Sequence, residues 1–264
     1  MGYRRQSYYK QVNDQHRHAQ TEEQIRLLVC RERKLLPRVG GRKLYWLLQN
    51  EFHQQGIVCG RDKLFTVLRR NNLLINPRKR YIQTTMSKHW MRKYPNLLKE
   101  QTPIAPEQVW VSDITYVKTT EGYCYLSLIT DAYSRKIVGY NVSDSLEAEN
   151  ACRALQMAVR SRITENPLIH HSDRGYQYCS SEYVSFATKH NIRMSMTEHS
   201  DPYENALAER MNRTLKEEFG LGLELPSKHY VSLAVEQAVE LYNTYRPHLA
   251  LQGMTPHDIH KNPQ

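Results

Sequence analysis

Three carboxylates lie in segments that give them more than ordinary surface work: Asp113 in VWVSDITYV, Asp173 in IHHSDRGYQY and Glu209 in DPYENALAERMNRTLKEEFG, with 35 residues between the last two. Gathered by a fold, three carboxylates can hold a pair of magnesium ions, hard cations that take oxygen donors and serve the cutting and joining of phosphodiesters. Each residue also has a plainer reading. An Asp inside an apolar strand is costly to bury unless it is paired, protonated or metal-bound, but it can also face solvent from a one-sided sheet. Asp173 begins Asp-Arg-Gly, which is also ordinary turn chemistry. For Glu209 the surrounding helix is drawn from its start signals: Asp201 as N-cap, Pro202 in the first helical position and Glu204 closing a capping box, with a stop at Gly220. At helical spacing Leu207, Ala208, Met211, Leu215 and Phe219 share an apolar face. Asn205, Glu209, Asn212 and Lys216 lie about opposite, with Glu209 and Lys216 stacked two turns apart. Without the two aspartates, that polar stripe would read as an exposed, ion-forming face.

The elements that must bring these residues together change period near residue 107, from helical to extended. VWVSDITYVKT, YCYLSLITD and KIVGYNV read as three strands joined by short turns at Glu121-Gly122 and Tyr133-Ser134-Arg135, hence antiparallel. A helix follows from about Glu147 to Arg162, with Ala151, Leu155, Ala158 and Val159 inward. Then come the strand PLIHH, a helix from Ser181 to about His190 and the strand RMSMT. The expected architecture is a mixed α/β sheet, with Asp113 in the middle of its strand and Asp173 just past the end of IHHS.

Charge divides the chain differently. Residues 1 to 105 carry 22 Lys and Arg against 7 Asp and Glu, whereas the remainder carries 15 against 20. A basic arm on a mildly acidic globule fits phosphate gripping by the first part and carboxylate chemistry by the second. The arm reads as three helices: one begun by a capping box at Thr21 and Gln24 and running to about Lys34, one from Gly41 to His53, and one from Arg61 to about Asn71. The third buries Leu64, Phe65, Val67 and Leu68 and leaves Arg61, Lys63, Arg69 and Arg70 to solvent, as the groove-reading helix of a helix-turn-helix would. A small bundle with solvated basic faces shows the same pattern. Beyond Asn76 the period is lost, and PRKRY and HWMRKY mix Arg78, Lys79 and Arg80 with Tyr81, Trp90 and Tyr94. That composition suits a linker along a nucleic-acid backbone or a plain interdomain linker. The expected domains are a basic helical region over 1–75, a basic linker over 76–105, a catalytic core over 106–225 and a C-terminal helix and tail over 226–264 packing on that core.

The five cysteines are odd in number and contain no Cys-x-x-Cys pair, which favours a reducing compartment over a disulfide scaffold. No apolar run approaches the ~20 residues of a membrane span and no signal peptide opens the chain, so the expected location is the cytoplasm.

The motifs WVSDITY, HSDRGYQY, SMTEHSDPYENALAERMNRTLKEEF and YNTYRPHLALQGMTP, with GGRKLYWLLQ and VLRRNNLL in the basic arm, together resemble a bacterial transposase: the second-reading-frame product of the insertion sequence three (IS-three) family, a relative of retroviral integrases. The resemblance spans residues 35 to 256. It implies a ribonuclease H-like mixed sheet preceded by a small helix-turn-helix domain. It further implies a polynucleotidyl transferase whose Asp113, Asp173 and Glu209 are both the catalytic and the metal-holding residues. The implied cofactor is two magnesium ions per site, with manganese able to substitute and no nucleotide cofactor. Lys216 matches the family's basic residue seven positions after the glutamate, and Asn212 and Arg213 on the same helix join it as expected DNA contacts beside Arg61, Lys63, Arg69, Arg70, Arg78, Lys79 and Arg80. The implied partners are double-stranded DNA at the element ends and target, a second copy in a homodimer or higher oligomer, and the upstream-frame product; the implied setting is the bacterial nucleoid. At 198–201 the chain reads Glu-His-Ser-Asp, where relatives often carry a basic, glycine-rich turn.

Several other residues have two readings. His171 occupies the family's position two before the second Asp, where packing or loop orientation is favoured over metal ligation, with His170 beside it. Asp131 suits hairpin capping better than metal binding. Arg246 and His248 belong to a family motif that docks on the core or on DNA. Two other functions fit parts of the pattern: a catalytically inactive DNA-binding regulator of transposition, against which the intact triad argues, and another ribonuclease H-like nuclease. A retroviral-type integrase is disfavoured because no His/Cys zinc module precedes the core.

Overall fold

A computed structural model describes residues 5–75, 90–99, 102–198 and 205–263. By internal contacts the chain divides into two units, Met1–Arg78 and Lys79–Gln264.

The first unit has three helices: α1 (Arg5–Leu35), α2 (Gly41–Gln54) and α3 (Arg61–Arg70). Helix α1 corrects the sequence expectation, because it begins some four turns before Thr21. From Arg5 to Leu35 there is neither Gly nor Pro, so nothing interrupts the helical hydrogen bonds until the approach to Pro37. Thr21 is not a cap: its Oγ1 donates to the Arg17 carbonyl at 2.9 Å, the back-bond of a residue inside a helix. Helices α2 and α3 match their expected spans. Ile25, Val29, Leu44, Leu48, Leu64 and Leu68 are buried, one apolar stripe from each helix.

The second unit is built on a five-stranded sheet in the order β3-β2-β1-β4-β5. Strands β1 (Val109–Thr119), β2 (Gly122–Asp131) and β3 (Ile137–Ser143) form an antiparallel meander. Its first turn uses Gly122 at φ +118°, a conformation that disfavours any side chain. Helix α4 (Ala148–Arg160) then crosses over to β4 (Leu168–Ser172), which pairs with β1 in parallel. A one-turn helix α5 (Tyr176–Cys179), unforeseen from sequence because four residues carry no period, leads to α6 (Ser181–Lys189) and to β5 (Ile192–Met196), parallel to β4. Helices α7 (Ala206–Glu218), α8 (Lys228–Thr244) and α9 (Pro256–Lys261) complete the unit.

The two sheet faces carry separate cores. Trp110, Ile129, Leu155, Leu168 and Tyr183 fill the face covered by α4 and α6. Val117, Leu126, Leu128, Leu215, Val235 and Tyr242 fill the face covered by α7 and α8. The alternation of β1 assigns the sides: Trp110 points to the first face, while Val111, Asp113 and Val117 share the second. Among the described residues no helix is long and apolar enough to cross a membrane.

Candidate active site

Strand register brings the first two carboxylates together. Strands β1 and β4 run parallel with Val111 beside His171 and Ser112 beside Ser172, so the next step sets Asp113 beside Asp173, beyond the last paired residue of β4. The two aspartates stand 60 positions apart in the chain, but the crossover through α4 to a strand parallel to β1 makes them neighbours. The Asp173 carboxylate accepts the amide of Gly175 at 2.9 Å, a tight turn in which a β-carbon on Gly175 would lie 3.0 Å from that oxygen. The Asp-Arg-Gly turn and the candidate site are thus the same feature.

Helix α7 lies over β1 and supplies the third carboxylate. It is held there by two asparagines on its polar stripe: Asn205 Nδ2 donates to the Ser112 carbonyl at 3.1 Å, and Asn212 Nδ2 donates to Asp113 Oδ2 at 2.8 Å. Glu209 lies between them in sequence, one turn from each. The other oxygen of Asp113 accepts the amide of Ile114 at 2.9 Å. The described helix begins at Ala206 with Asn205 in the cap position, and the expected capping box of Asp201, Pro202 and Glu204 lies outside the described residues.

Electrostatics orders the three groups. Burial, and next the charge of Asp173, push the Asp113 carboxyl up to about 7; hydrogen bonds from Asn212 and Ile114 pull the other way, and Glu209 adds a weaker push. Glu209 is exposed, and its carboxyl is raised first by desolvation and then by Asp173. The aspartates are therefore the closely coupled pair and Glu209 the outer member. Among the described residues no three His, Cys, Asp or Glu side chains stand close enough to form a ready metal cage.

The donor set nevertheless suits a hard divalent cation: all its charged groups are carboxylates, and their mutual repulsion is the energy such a cation would relieve. The amide oxygens of Asn205 and Asn212 are buried without a hydrogen-bond partner beside them, leaving acceptors for the water that magnesium keeps when it binds.

The other expected site residues fall into three groups. Lys216 joins the carboxylates: its Nζ sits 4.2 Å from the centre of the Tyr116 ring, and burial lowers its pKa while Asp113 raises it. Arg213, next to Asn212 in sequence but around the helix, is exposed and paired with Glu217 at 2.8 Å. In the first unit Arg61, Lys63, Arg69 and Arg70 are all exposed on α3. Arg61 pairs with Asp62, Lys63 donates to the Val58 carbonyl at 2.8 Å, and Arg70 reaches Glu22 at 3.4 Å. Arg78, Lys79 and Arg80 lie outside the described residues.

The residues with two readings take structural positions. His171 is buried and shares a 2.8 Å hydrogen bond with Ser195, whose Oγ accepts the amide of Leu97. His170 shares one with Tyr183 at 2.8 Å, and burial drives its pKa to about 3, so it is neutral. Asp131 accepts from the amide and hydroxyl of Ser134 at 2.7 and 2.8 Å, bracing the β2–β3 turn. Arg246 grips Glu218 at the end of α7 through Nε and Nη2 at 2.8 and 2.9 Å and meets His248 at 2.6 Å, docking the C-terminal segment on the core.

Sequence reasoning missed the asparagine brackets. Their spacing, Asn205, Glu209 and Asn212 at i, i+4 and i+7, was visible, but no spacing names the strand that such a stripe will face. It also missed Tyr116, because position along a strand does not show which helix side chain will lie over its ring.

Comparison with known proteins agrees with this geometry. Models of the integrase core domain match residues 103–202 and 190–256. The chain is 36% identical over 211 residues to the uncharacterized 31 kDa protein of insertion element IS600 from Shigella sonnei, covering 79% of this chain and 78% of that protein. It is 33% identical over 211 residues to the transposase InsF of insertion sequence IS3A from Escherichia coli, covering 79% of this chain and 73% of that protein. Among solved structures, a chain of the simian T-cell lymphotropic virus intasome, in complex with a phosphatase regulatory subunit, shares the fold at a TM-score of 0.53 and 18% identity, covering 86% of this chain and 72% of that one. With a third of its residues shared along most of the InsF sequence, and with two integrase-core models tiling the sheet and the helix that carry the carboxylates, the chain belongs to the IS3 family of transposases and has a retroviral integrase-like catalytic core.

Proposed function

We propose that this transposase is a divalent-metal-dependent polynucleotidyl transferase that cleaves and joins DNA strands at the ends of its insertion sequence, with Asp113, Asp173 and Glu209 as the acidic triad. The observation that carries the reading is the parallel register setting Asp113 beside Asp173, in an environment that drives the Asp113 carboxyl to about 7. Two like charges are tolerated there at little gain to the fold, which points to a cationic ligand. Magnesium, two ions per site with manganese able to substitute, is the cofactor these oxygens suit; when bound it would activate a water or DNA 3′ hydroxyl and offset charge building at phosphorus.

The chain's own residues do the rest. Asn212 fixes the rotamer of Asp113, Asn205 fixes the start of α7 against β1, and together they set where Glu209 stands. Lys216, held near Asp113, offers a positive charge to a phosphate next to the scissile bond. The exposed cations of α3 supply sequence-independent grip on duplex DNA at the element ends and target. Bringing two ends together requires two catalytic chains, so a dimer or larger assembly is the working form, with the upstream-frame product as a further partner.

Incubation with duplexes carrying the element ends tests this. Glu209→Gln, isosteric but unable to hold a cation by charge, is expected to lower magnesium-dependent cleavage and joining by at least 10³-fold while end binding stays within about twofold. Activity equal to the parent would remove Glu209 from the triad. Binding without cleavage by the parent chain, in magnesium and in manganese, would favour the inactive regulator instead.

A further inference from the structure

Lys216 differs from its helical neighbour in what it touches. Arg213 is paired with Glu217, whereas Lys216 places its Nζ over an aromatic face, 4.2 Å from the centre of the Tyr116 ring. Tyr116 is three residues beyond Asp113 on β1, and Lys216 is one turn beyond Asn212 on α7. By the alternation of β1 the Tyr116 side chain leaves the strand on the side opposite to Asp113, so the cation–ring contact is a second link between the same two elements and not a repeat of the Asn212–Asp113 hydrogen bond. The ring itself is braced: Tyr123, diagonal to it across the β1–β2 ladder, meets it edge to face with centroids 5.5 Å apart and planes at 87°.

The chemistry of that choice matters. A carboxylate partner would fix Lys216 but cancel its charge and have to be displaced before a phosphate could bind. An aromatic face fixes the ammonium through the ring quadrupole and leaves its full charge and its donors to a ligand. We propose that Tyr116 is a positioning residue that holds the Lys216 ammonium beside the carboxylates ready for a DNA phosphate, with Tyr123 as the buttress that keeps the ring in place. This inference rests on the reading of Lys216 as a phosphate contact in strand transfer. Tyr116 touches neither substrate nor metal in this role and acts through Lys216.

Two measurements on the 264-residue chain test it, one of which needs no catalysis. In protein labelled with carbon-13 lysine, the Lys216 Hε signal, assigned by its loss in Lys216→Met, is expected upfield of the other lysines from the ring current of Tyr116. It keeps that position in Tyr116→Phe, joins the main lysine group in Tyr116→Leu, and moves part of the way in Tyr123→Leu, which alters only the more exposed buttress. In single-turnover joining with magnesium, Tyr116→Leu is expected to be slower by roughly tenfold, about the size of one desolvated cation–ring contact, and Tyr116→Phe to recover most of the rate. A Lys216 signal lying with the other lysines in the parent, or unmoved by either leucine variant, overturns the contact. A displaced signal with an unchanged joining rate overturns the positioning role. Activity in Glu209→Gln would sink the catalytic reading and leave the spectral result standing, so the two failures are distinguishable.

Discussion

Asp113 is the residue on which fold and chemistry disagree most. Its carboxyl is moved from an ordinary 3.8 to about 7, by burial first and Asp173 second. A group that holds its proton more tightly folded than unfolded binds more protons in the folded chain between those two values. The contribution of Asp113 to the stability of the metal-free protein therefore falls as pH rises from about 4 to about 7 and is least favourable above that window. Asp113→Asn removes the penalty while keeping an acceptor for Asn212. It is expected to stabilise the metal-free protein at pH 8 by about 1–3 kcal/mol, read from urea unfolding in chelator, and to abolish strand cleavage. A destabilised variant at pH 8 would show that Asp113 is held for structure. By the same sign, magnesium affinity should climb with pH through about 7 and level off above it.

At the scale of elements, the site depends on how closely helices approach the sheet. Asn205 and Asn212 fasten α7 to β1 at two levels, and Arg246 clasps Glu218 at the far end of the helix. On the other face α4 comes so near β3 that a β-carbon on Gly139 would lie 2.3 Å from the Ala154 carbonyl and 2.9 Å from the Ala158 side chain. Backbone cannot yield that distance locally, so Gly139→Ala is expected to push α4 outward at a cost of about 1–3 kcal/mol, read as a lower urea midpoint. An unchanged midpoint would mean that α4 shifts freely. These contacts show what was legible element by element. Strands and helices with a clear period were found within a few residues, whereas the one-turn α5 and the long start of α1 were not: a single turn has no period, and a polar helix has no apolar stripe to announce it.

Over the whole molecule, charge and chemistry are carried by different stretches of chain. The basic excess lies before residue 105 and the carboxylates of the site after it. Replacing Arg69 and Arg70 together by Ala is expected to weaken end binding and to reduce the slope of log affinity against log salt by about 1 to 2, with Arg69 contributing more because Arg70 already reaches Glu22. A slope identical to the parent would take α3 off the DNA. The amino-acid sequence by itself offered the three candidate carboxylates, the period of most elements around them and the lopsided charge, because residue type, spacing and net charge are local properties. Only the tertiary structure decided that Asp113 and Asp173 are neighbours in a parallel register, that Asn212 serves Asp113 and that Lys216 rests on Tyr116. Those pairings join residues 60 to 100 positions apart, and such distances along the chain are closed by a crossover helix and a packed sheet rather than by any local pattern.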